Sequence, residues 1–389
     1  MILTETTSFP FPRALPCALI ADDQPDVLAA LRLLLKVEGV ETATATSPDA
    51  VIEAVAARDF DLVLMDMNYA RDTTSGREGL DLIARLRSMD RALPVVGMTA
   101  WGSLDVAVEA MRRGLDDFVL KPWENARLLK VLREQIEAGR VRRREAQRQA
   151  ARERDLSSAR DVQQGLIPRQ LPRVRNCEIA ASWQPAREVS GDYFDVLPFG
   201  ESRAGLCIGD VMGKGVAAGL LMSNVQALVR AFASEAISPD ELCARINAML
   251  CRQDAAGKFV TFFYGLLDAE TGRLRYANAG HSPPLLVRRD GRVEGLKQGG
   301  PLLGVFSESV YEPGDVEFAR GDRLLLFTDG ITEASNASGE EFGESRLLDL
   351  ARAHAASTVE ALREAIMREV AAFTVGEPQD DATLLIVGS

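Results

Sequence analysis

At 389 residues the chain exceeds what one hydrophobic core usually serves, so two or three domains are expected. Hydrophobic residues at 47% and charged residues at 26% exclude wholesale disorder, and a net charge of −12 disfavours a general nucleic-acid binder, which needs a basic surface to neutralise phosphates. The five cysteines (Cys17, Cys177, Cys207, Cys243, Cys251) are odd in number and form no C-x-x-C pair, which argues against a disulfide framework or a zinc knuckle and for reduced core thiols.

The N-terminus, MILTETTSFPFPRALP, has no basic segment followed by a continuous apolar run, so it does not read as a signal peptide. No stretch approaches the roughly 20 apolar residues of a membrane span, so a cytoplasmic protein without membrane attachment is expected. From Cys17 to about Glu134 short apolar runs alternate with amphipathic stretches. Strands are predicted at Cys17–Ala21, Leu62–Met65, Pro94–Met98 and Phe118–Leu120, and helices at Val27–Val37 and Leu80–Met89, among others. Such alternation predicts an α/β fold, a doubly wound parallel sheet.

Asp22 and Asp23 follow the first of these strands, Asp66 the second and Lys121 the last, while Thr99 ends the third. In an open parallel sheet these strand ends converge on one crevice. Clustered carboxylates there would repel one another unless a hard divalent cation such as magnesium were shared. Lys121 and the Thr99 hydroxyl could both meet a phosphoryl group. A lone Asp is more often a helix cap or turn residue, but the joint pattern with Lys121-Pro122 is not explained that way.

The order DD, LVLMD, MTA, LKP resembles the receiver domain of two-component response regulators, over about Leu15 to Glu134. The resemblance implies that Asp66 accepts phosphate from a sensor histidine kinase. It also implies that Asp23 and Asp66 hold Mg²⁺, with Asp22 in support and the Asn68 carbonyl completing the site. Thr99 and Lys121 would sense the phosphoryl group, and Phe118 stands where an aromatic switch residue is usual, without the hydroxyl of the common Tyr. The run from Tyr69 to Gly79 is long for a strand-to-helix loop and carries no assigned chemistry.

Arg127 to Arg154 holds ten Arg or Lys against four Glu and no proline, and reads as an exposed connecting helix. Leu128, Leu132 and Ile136 give one apolar stripe that fades beyond Gly139, which argues against a long coiled coil and leaves a homodimer through this helix as the alternative to a plain connector. A second helix, SSARDVQQGLIP, is stopped by Pro168. Strand signals then dominate at Glu178–Trp183, Tyr193–Pro198, Ala204–Ile208, Phe259–Leu267, Arg273–Ala277, Leu285–Arg288, Arg323–Thr328 and Thr383–Val387. Helical patterns at Ala217–Ala233, Pro239–Cys251 and Ser345–Phe373 interrupt them, which predicts an α+β layered β-sandwich. The expected organisation is 15–134, a basic linker and switch helix over 135–165, and a second domain over 166–389.

In that second domain the chemical signal lies in four clusters, Ser190-Gly-Asp192-Tyr-Phe-Asp195, Gly209-Asp210-Val-Met-Gly213-Lys-Gly215, Thr328-Asp329-Gly330 and Gln379-Asp380-Asp381-Ala-Thr383. Glycine lets backbone approach closely, so Asp beside Gly at strand ends suits a metal site. Two histidines in the whole chain and no catalytic Cys leave hard oxygen ligands, hence Mg²⁺ or Mn²⁺. Two such ions could activate water for in-line attack on phosphorus.

The runs REVSGDYFDV, GDVMGKGVAAGLLM, YANAGHSPPLL, LLLFTDGITEA and DDATLLIV resemble the metal-dependent Ser/Thr phosphatases of the protein phosphatase 2C superfamily, in its bacterial sporulation and stress-response branch. The resemblance implies that Asp210 bridges two Mn²⁺ or Mg²⁺ ions, helped by the Val211 carbonyl. Asp192, Asp329 and Asp380 or Asp381 would complete the shells, with Asp380 favoured because its neighbour begins the last strand. Glu333 is a weaker candidate. Asp195 reads better as a structural cap, His281 as a hydrogen-bonded turn residue rather than a general acid, and Lys214 as equally a loop Lys or a phosphate contact; the early phosphate-binding Arg of many superfamily members outside this branch has no clear equivalent, and Arg187 is a candidate for it. The implied activity is hydrolysis of phosphoserine or phosphothreonine on an anti-sigma-factor antagonist, controlled by phosphorylation of Asp66. The alternatives are a receiver-regulated pseudophosphatase that sequesters its partner, disfavoured by the intact acidic set, and a transcription factor, for which no helix-turn-helix signal exists.

Overall fold

The structure is a computed structural model that describes residues 15–69, 77–100, 104–253, 257–376 and 378–389; the N-terminal segment and most of the run after Tyr69 lie outside these. The chain divides into two compact units, one ending at Arg152 and the other beginning at Glu153.

The first unit is β1 (Cys17–Ala21), α1 (Pro25–Val37), β2 (Glu41–Ala45), α2 (Pro48–Ala57), β3 (Leu62–Asp66), α3 (Arg77–Met89), β4 (Val95–Ala100), α4 (Leu104–Arg112), β5 (Asp117–Lys121) and the start of α5 (Asn125–Gln164). Its strands form one parallel sheet in the order β2-β1-β3-β4-β5. Alternation of side chains divides the apolar residues between two helical layers. Leu19, Val63 and Met65 pack with Ile83 and Leu86 on one face. Ile20, Leu62, Leu64, Val96 and Met98 pack with Leu31, Leu128 and Leu132 on the other. Pro25 and Pro48 open their helices at a position where a missing N–H costs nothing, and the Ser47 hydroxyl accepts from Ala50 N at 3.3 Å.

Sequence reading passed over β2, Glu-Thr-Ala-Thr-Ala, because a polar strand at a sheet edge has no buried face to announce it. It also made the basic helix a solvated connector. Instead its first turns belong to the receiver-like unit: Arg140, Arg142 and Arg143 pair with Asp61 at 3.4 Å, Asp116 at 2.5 Å and Asp90 at 3.0 Å. A β-carbon on Gly139 would stand 2.3 Å from Pro94 Cγ, so the helix lies directly on that proline.

The second unit continues with β6 (Glu178–Gln184), β7 (Tyr193–Phe199), β8 (Arg203–Val211), α6 (Val216–Phe232), α7 (Pro239–Arg252), β9 (Val260–Asp268), β10 (Arg273–Ala279), β11 (Leu285–Val287), β12 (Val293–Gly295), β13 (Gly299–Gly300), β14 (Gly314–Glu317), β15 (Arg323–Phe327), α8 (Asp329–Thr332), α9 (Gly343–Ala353), α10 (Val359–Phe373) and β16 (Ala382–Gly388). Two sheets result, β13-β10-β9-β8-β7 with β14 on β10, and β12-β11-β15-β16-β6. Period two again sorts the layers: Leu324, Leu326, Leu385 and Val387 enter the core that also holds Tyr193, Phe262 and Phe263 of the other sheet. Leu325, Phe327, Leu384 and Ile386 face α9 and α10 through Leu347, Leu362 and Ile366. The helical stretch expected over Ser345–Phe373 is two helices, because the Thr358 hydroxyl accepts from Ala361 N at 3.2 Å and starts a new one. All five cysteines are free, and no described helix is long and apolar enough to cross a membrane.

Candidate functional sites

At the C-terminal ends of the parallel strands, Asp22, Asp23 and Asp66 offer carboxylate oxygens within 4.8 Å of one another, the spacing that one cation can span. Lys121 Nζ donates to Asp22 Oδ2 and Asp66 Oδ2, both at 2.8 Å. Burial raises the Asp66 pKa despite this partner. Burial alone would lower that of Lys121, but its bonds to Asp22 and Asp66 outweigh the loss and hold it above the ordinary lysine value. Three acids share one lysine, so a divalent ion fits the charge that is missing. Asn68 donates its backbone N–H to Asp66 Oδ1 at 3.3 Å, Thr99 is buried at the end of β4, and Phe118 is half-buried against the core.

In the second unit, Asp192 precedes β7, Asp210 lies near the end of β8, Asp329 opens α8 just past β15, and Asp380 and Asp381 precede β16. Glycines bring these segments together. A β-carbon on Gly191 would lie 3.1 Å from the Val211 carbonyl and 3.5 Å from Asp210 Oδ1, and one on Gly330 would lie 2.0 Å from the Asp381 carbonyl. Asp192 is buried, and Thr328 and Thr383 both donate hydroxyls to its Oδ2, at 2.7 and 2.6 Å. Burial and the charge of Asp210 raise its pKa far above the carboxylate range. Asp210 itself is pushed up to about 7 by burial and by Asp329 and Asp380, and burial and Asp380 also raise Asp329. Lys214 lies 3.0 Å from Asp380. Carboxylates crowded this way and so little balanced are what hard divalent cations relieve, so the residues fit such ions.

The last pair of acids separates by partner. Asp381 accepts from Ala186 N at 2.7 Å through Oδ1, and from Gly191 N and Ser190 Oγ at 2.8 Å through Oδ2. It therefore ties the segment bearing Asp192, whereas Asp380 faces Asp329 and Lys214. Glu333 donates its backbone N–H to the Asp329 carbonyl at 2.7 Å, and burial and Asp329 raise its side-chain pKa. Asp195 is fully buried, accepting from Arg230 at 2.8 Å, from Tyr193 Oη at 3.1 Å and from Val196 N at 2.9 Å, which makes it structural. His281 is buried with both ring nitrogens engaged, and burial pulls its pKa down to about 4. Arg187 is exposed.

Sequence reasoning missed the supporting residues Thr328, Thr383 and Ser190, although each stands in a quoted cluster. It also missed Gln163, whose buried amide donates to the Ser190 carbonyl at 2.7 Å and accepts from Ser190 N at 2.9 Å. A glutamine in a polar helix carries no sign that it will be buried.

Comparison with known proteins adds independent findings. Residues 18–133 match the response regulator receiver domain, and residues 200–388 match the Stage II sporulation protein E family. Protein IcfG of Synechocystis sp. is 30% identical over 261 residues, 60% of this chain and 41% of that protein. Phosphoserine phosphatase RsbU of Bacillus subtilis is 28% identical over 234 residues, 60% of this chain and 69% of that protein. The chain thus spans well under two thirds of IcfG. Among solved structures, the RsbU and RsbW domains of a Mycobacterium tuberculosis protein share 28% identity at a TM-score of 0.51, covering 57% of this chain and 62% of that one. The SiaA-PP2C domain of Pseudomonas aeruginosa, at 22% identity and a TM-score of 0.55, covers 62% of this chain and 98% of that one and shares the fold. The chain accordingly joins a region that matches the response regulator receiver domain to a region that matches the Stage II sporulation protein E family.

Proposed function

We propose that this chain removes phosphate from phosphoserine or phosphothreonine of a partner protein, an anti-sigma-factor antagonist, under the control of phosphorylation at Asp66 by a sensor histidine kinase. The observation that carries the catalytic part is the meeting of Asp192, Asp210, Asp329 and Asp380 from four separate segments, with Asp381 already occupied by three donors. In this reading Asp210, the Val211 carbonyl, Asp329 and Asp380 hold at least two Mn²⁺ or Mg²⁺ ions, and Asp192 completes the set. When bound, such ions neutralise the carboxylates, polarise the phosphoryl group and lower the pKa of water for in-line attack. The protein's own part is orientation. Thr328 and Thr383 fix one oxygen of Asp192, Asp381 fixes the loop before it, and Lys214 stands beside Asp380 on the exposed side, within reach of an incoming anion.

The receiver reading gives Asp66 as phosphoacceptor, Asp22, Asp23 and the Asn68 carbonyl as Mg²⁺ partners, and Thr99, Lys121 and Phe118 as the residues that respond. Supporting it are the shared oxygen spacing of the three acids and the position of Lys121 between two of them. The names of the relatives, above all the phosphoserine phosphatase RsbU, support the substrate class.

Purified protein is expected to hydrolyse p-nitrophenyl phosphate with Mn²⁺, to stop in chelator, and to lose about 100-fold or more in rate on Asp210→Asn, since removing even a partner that orients a metal ligand costs about 10–100-fold. Wild-type rates in Asp210→Asn would sink the assignment.

A further inference from the structure

The buried imidazole of His281 reaches none of the acids, yet it ties together the strands that deliver two of them. Its Nδ1 lies 2.9 Å from Thr261 Oγ1, and its Nε2 lies 3.2 Å from the Phe327 carbonyl oxygen. Thr261 is the register partner of Asp210 across β8 and β9, in one sheet. Phe327 ends β15 in the other sheet, two residues before Asp329.

Chemistry fixes the tautomer. A carbonyl only accepts, so Nε2 must carry the hydrogen. In a neutral ring Nδ1 then keeps its lone pair and accepts from the Thr261 hydroxyl, whose other acceptor, the Asp210 carbonyl, is farther away at 3.5 Å. The backbone of His281 is fixed as well. Its N–H donates to Asn278 Oδ1 at 2.7 Å, and Asn278 Nδ2 donates to the carbonyls of His281 and Leu296 at 3.0 and 3.1 Å. Gly280, with φ of +69°, makes the turn against Leu302, where a β-carbon would be 3.1 Å from the Leu302 nitrogen. Asn278, Gly280 and His281 thus act as one brace, anchored in the turn and extended by the ring to both sheets.

We propose that His281 is a positioning residue of the metal centre: as the Nε2–H tautomer it sets the spacing between the strand pair holding Asp210 and the strand leading to Asp329, and so the affinity of the site for divalent cations. The proposal rests on the phosphatase reading above. Residues that orient metal ligands typically change affinity or activity by about 10–100-fold when removed.

The test is direct binding of Mn²⁺ to the metal-stripped full-length protein, read by electron paramagnetic resonance of the free ion, alongside hydrolysis of p-nitrophenyl phosphate over a Mn²⁺ series. His281→Gln keeps an N–H toward Phe327 and loses the bond to Thr261, while Thr261→Val breaks that bond from its other end and serves if His281→Gln does not fold. Each is expected to weaken Mn²⁺ binding by about 10-fold. The double variant is expected to be no weaker than either single one, and Thr261→Ser, which keeps the hydroxyl, to bind as wild type. Unchanged Mn²⁺ binding in folded Thr261→Val overturns the proposal, as do additive losses in the double variant. Failure of the wild-type protein to bind Mn²⁺, or full binding by Asp210→Asn, strikes the metal-site reading itself and is thereby told apart.

Discussion

Both carboxylate oxygens of Asp381 are engaged by donors of the 186–191 segment, one of them twice, and the residue is buried. Asp380, one position earlier, is more exposed and sits among the acids and Lys214. An asparagine at 381 has a single acceptor oxygen and an amide that would face donors. Asp381→Asn is therefore expected to lower stability by about 1–3 kcal/mol, the cost of leaving buried donors unpaired. Asp380→Asn removes a like charge beside Asp329 and gives up only a part-exposed ion pair, so its melting temperature in metal-free buffer is expected to hold or rise while activity is lost. Calorimetry and a phosphatase assay on both variants check this, and the opposite pattern would exchange their roles. By composition alone the two adjacent aspartates have equal claim. Strand position favoured Asp380, but the partners of Asp381 come from residues nearly 200 positions away and could not be read from spacing.

Helix α5 illustrates what an element shows and hides. Its basic composition suggested an exposed connector with one apolar stripe, Leu128, Leu132 and Ile136, and those three residues are buried. The three arginines that follow find carboxylates on three different loops of the receiver domain, and only the folded sheet brings Asp61, Asp90 and Asp116 to one end. Gly139 is the clearest clue in retrospect, since glycine inside a helix costs about 1 kcal/mol against alanine and needs a packing reason. That reason is Pro94. Gly139→Ala improves intrinsic propensity yet places a methyl group inside the van der Waals radius of the proline. We expect a net loss of about 1–3 kcal/mol for the receiver transition in thermal unfolding, the scale of overpacking; a gain would mean that the contact yields easily. The long apolar strands, by contrast, were legible because burial on two faces leaves no other composition open to them.

For the whole molecule, the two compact units carry two acidic sites of different use. The receiver site would write a phosphoryl group on the chain itself, and the phosphatase site would remove one from another chain. If the first governs the second, Asp66→Asn should abolish the change in Mn²⁺-dependent hydrolysis that a small-molecule phosphodonor produces in the wild type. Equal rates with and without the donor in the wild-type protein would uncouple the two sites. The order of motifs exposed this division early, because each domain keeps its chemistry at strand ends reached by short, separate runs of sequence. Gln163, reaching Ser190 from the end of α5, ties the helical segment to the loop before Asp192, a contact across 27 positions that spacing does not announce.

Between Arg144 and Val162 no side chain of α5 is buried. Substitutions along an exposed helical face usually change stability by no more than about 0.5 kcal/mol, provided glycine and proline stay out. Insertion or deletion of a residue is another matter, since each one turns every later residue of the helix by about 100° relative to those before it. The middle of this helix thus carries its register in the count of its residues more than in any buried side chain.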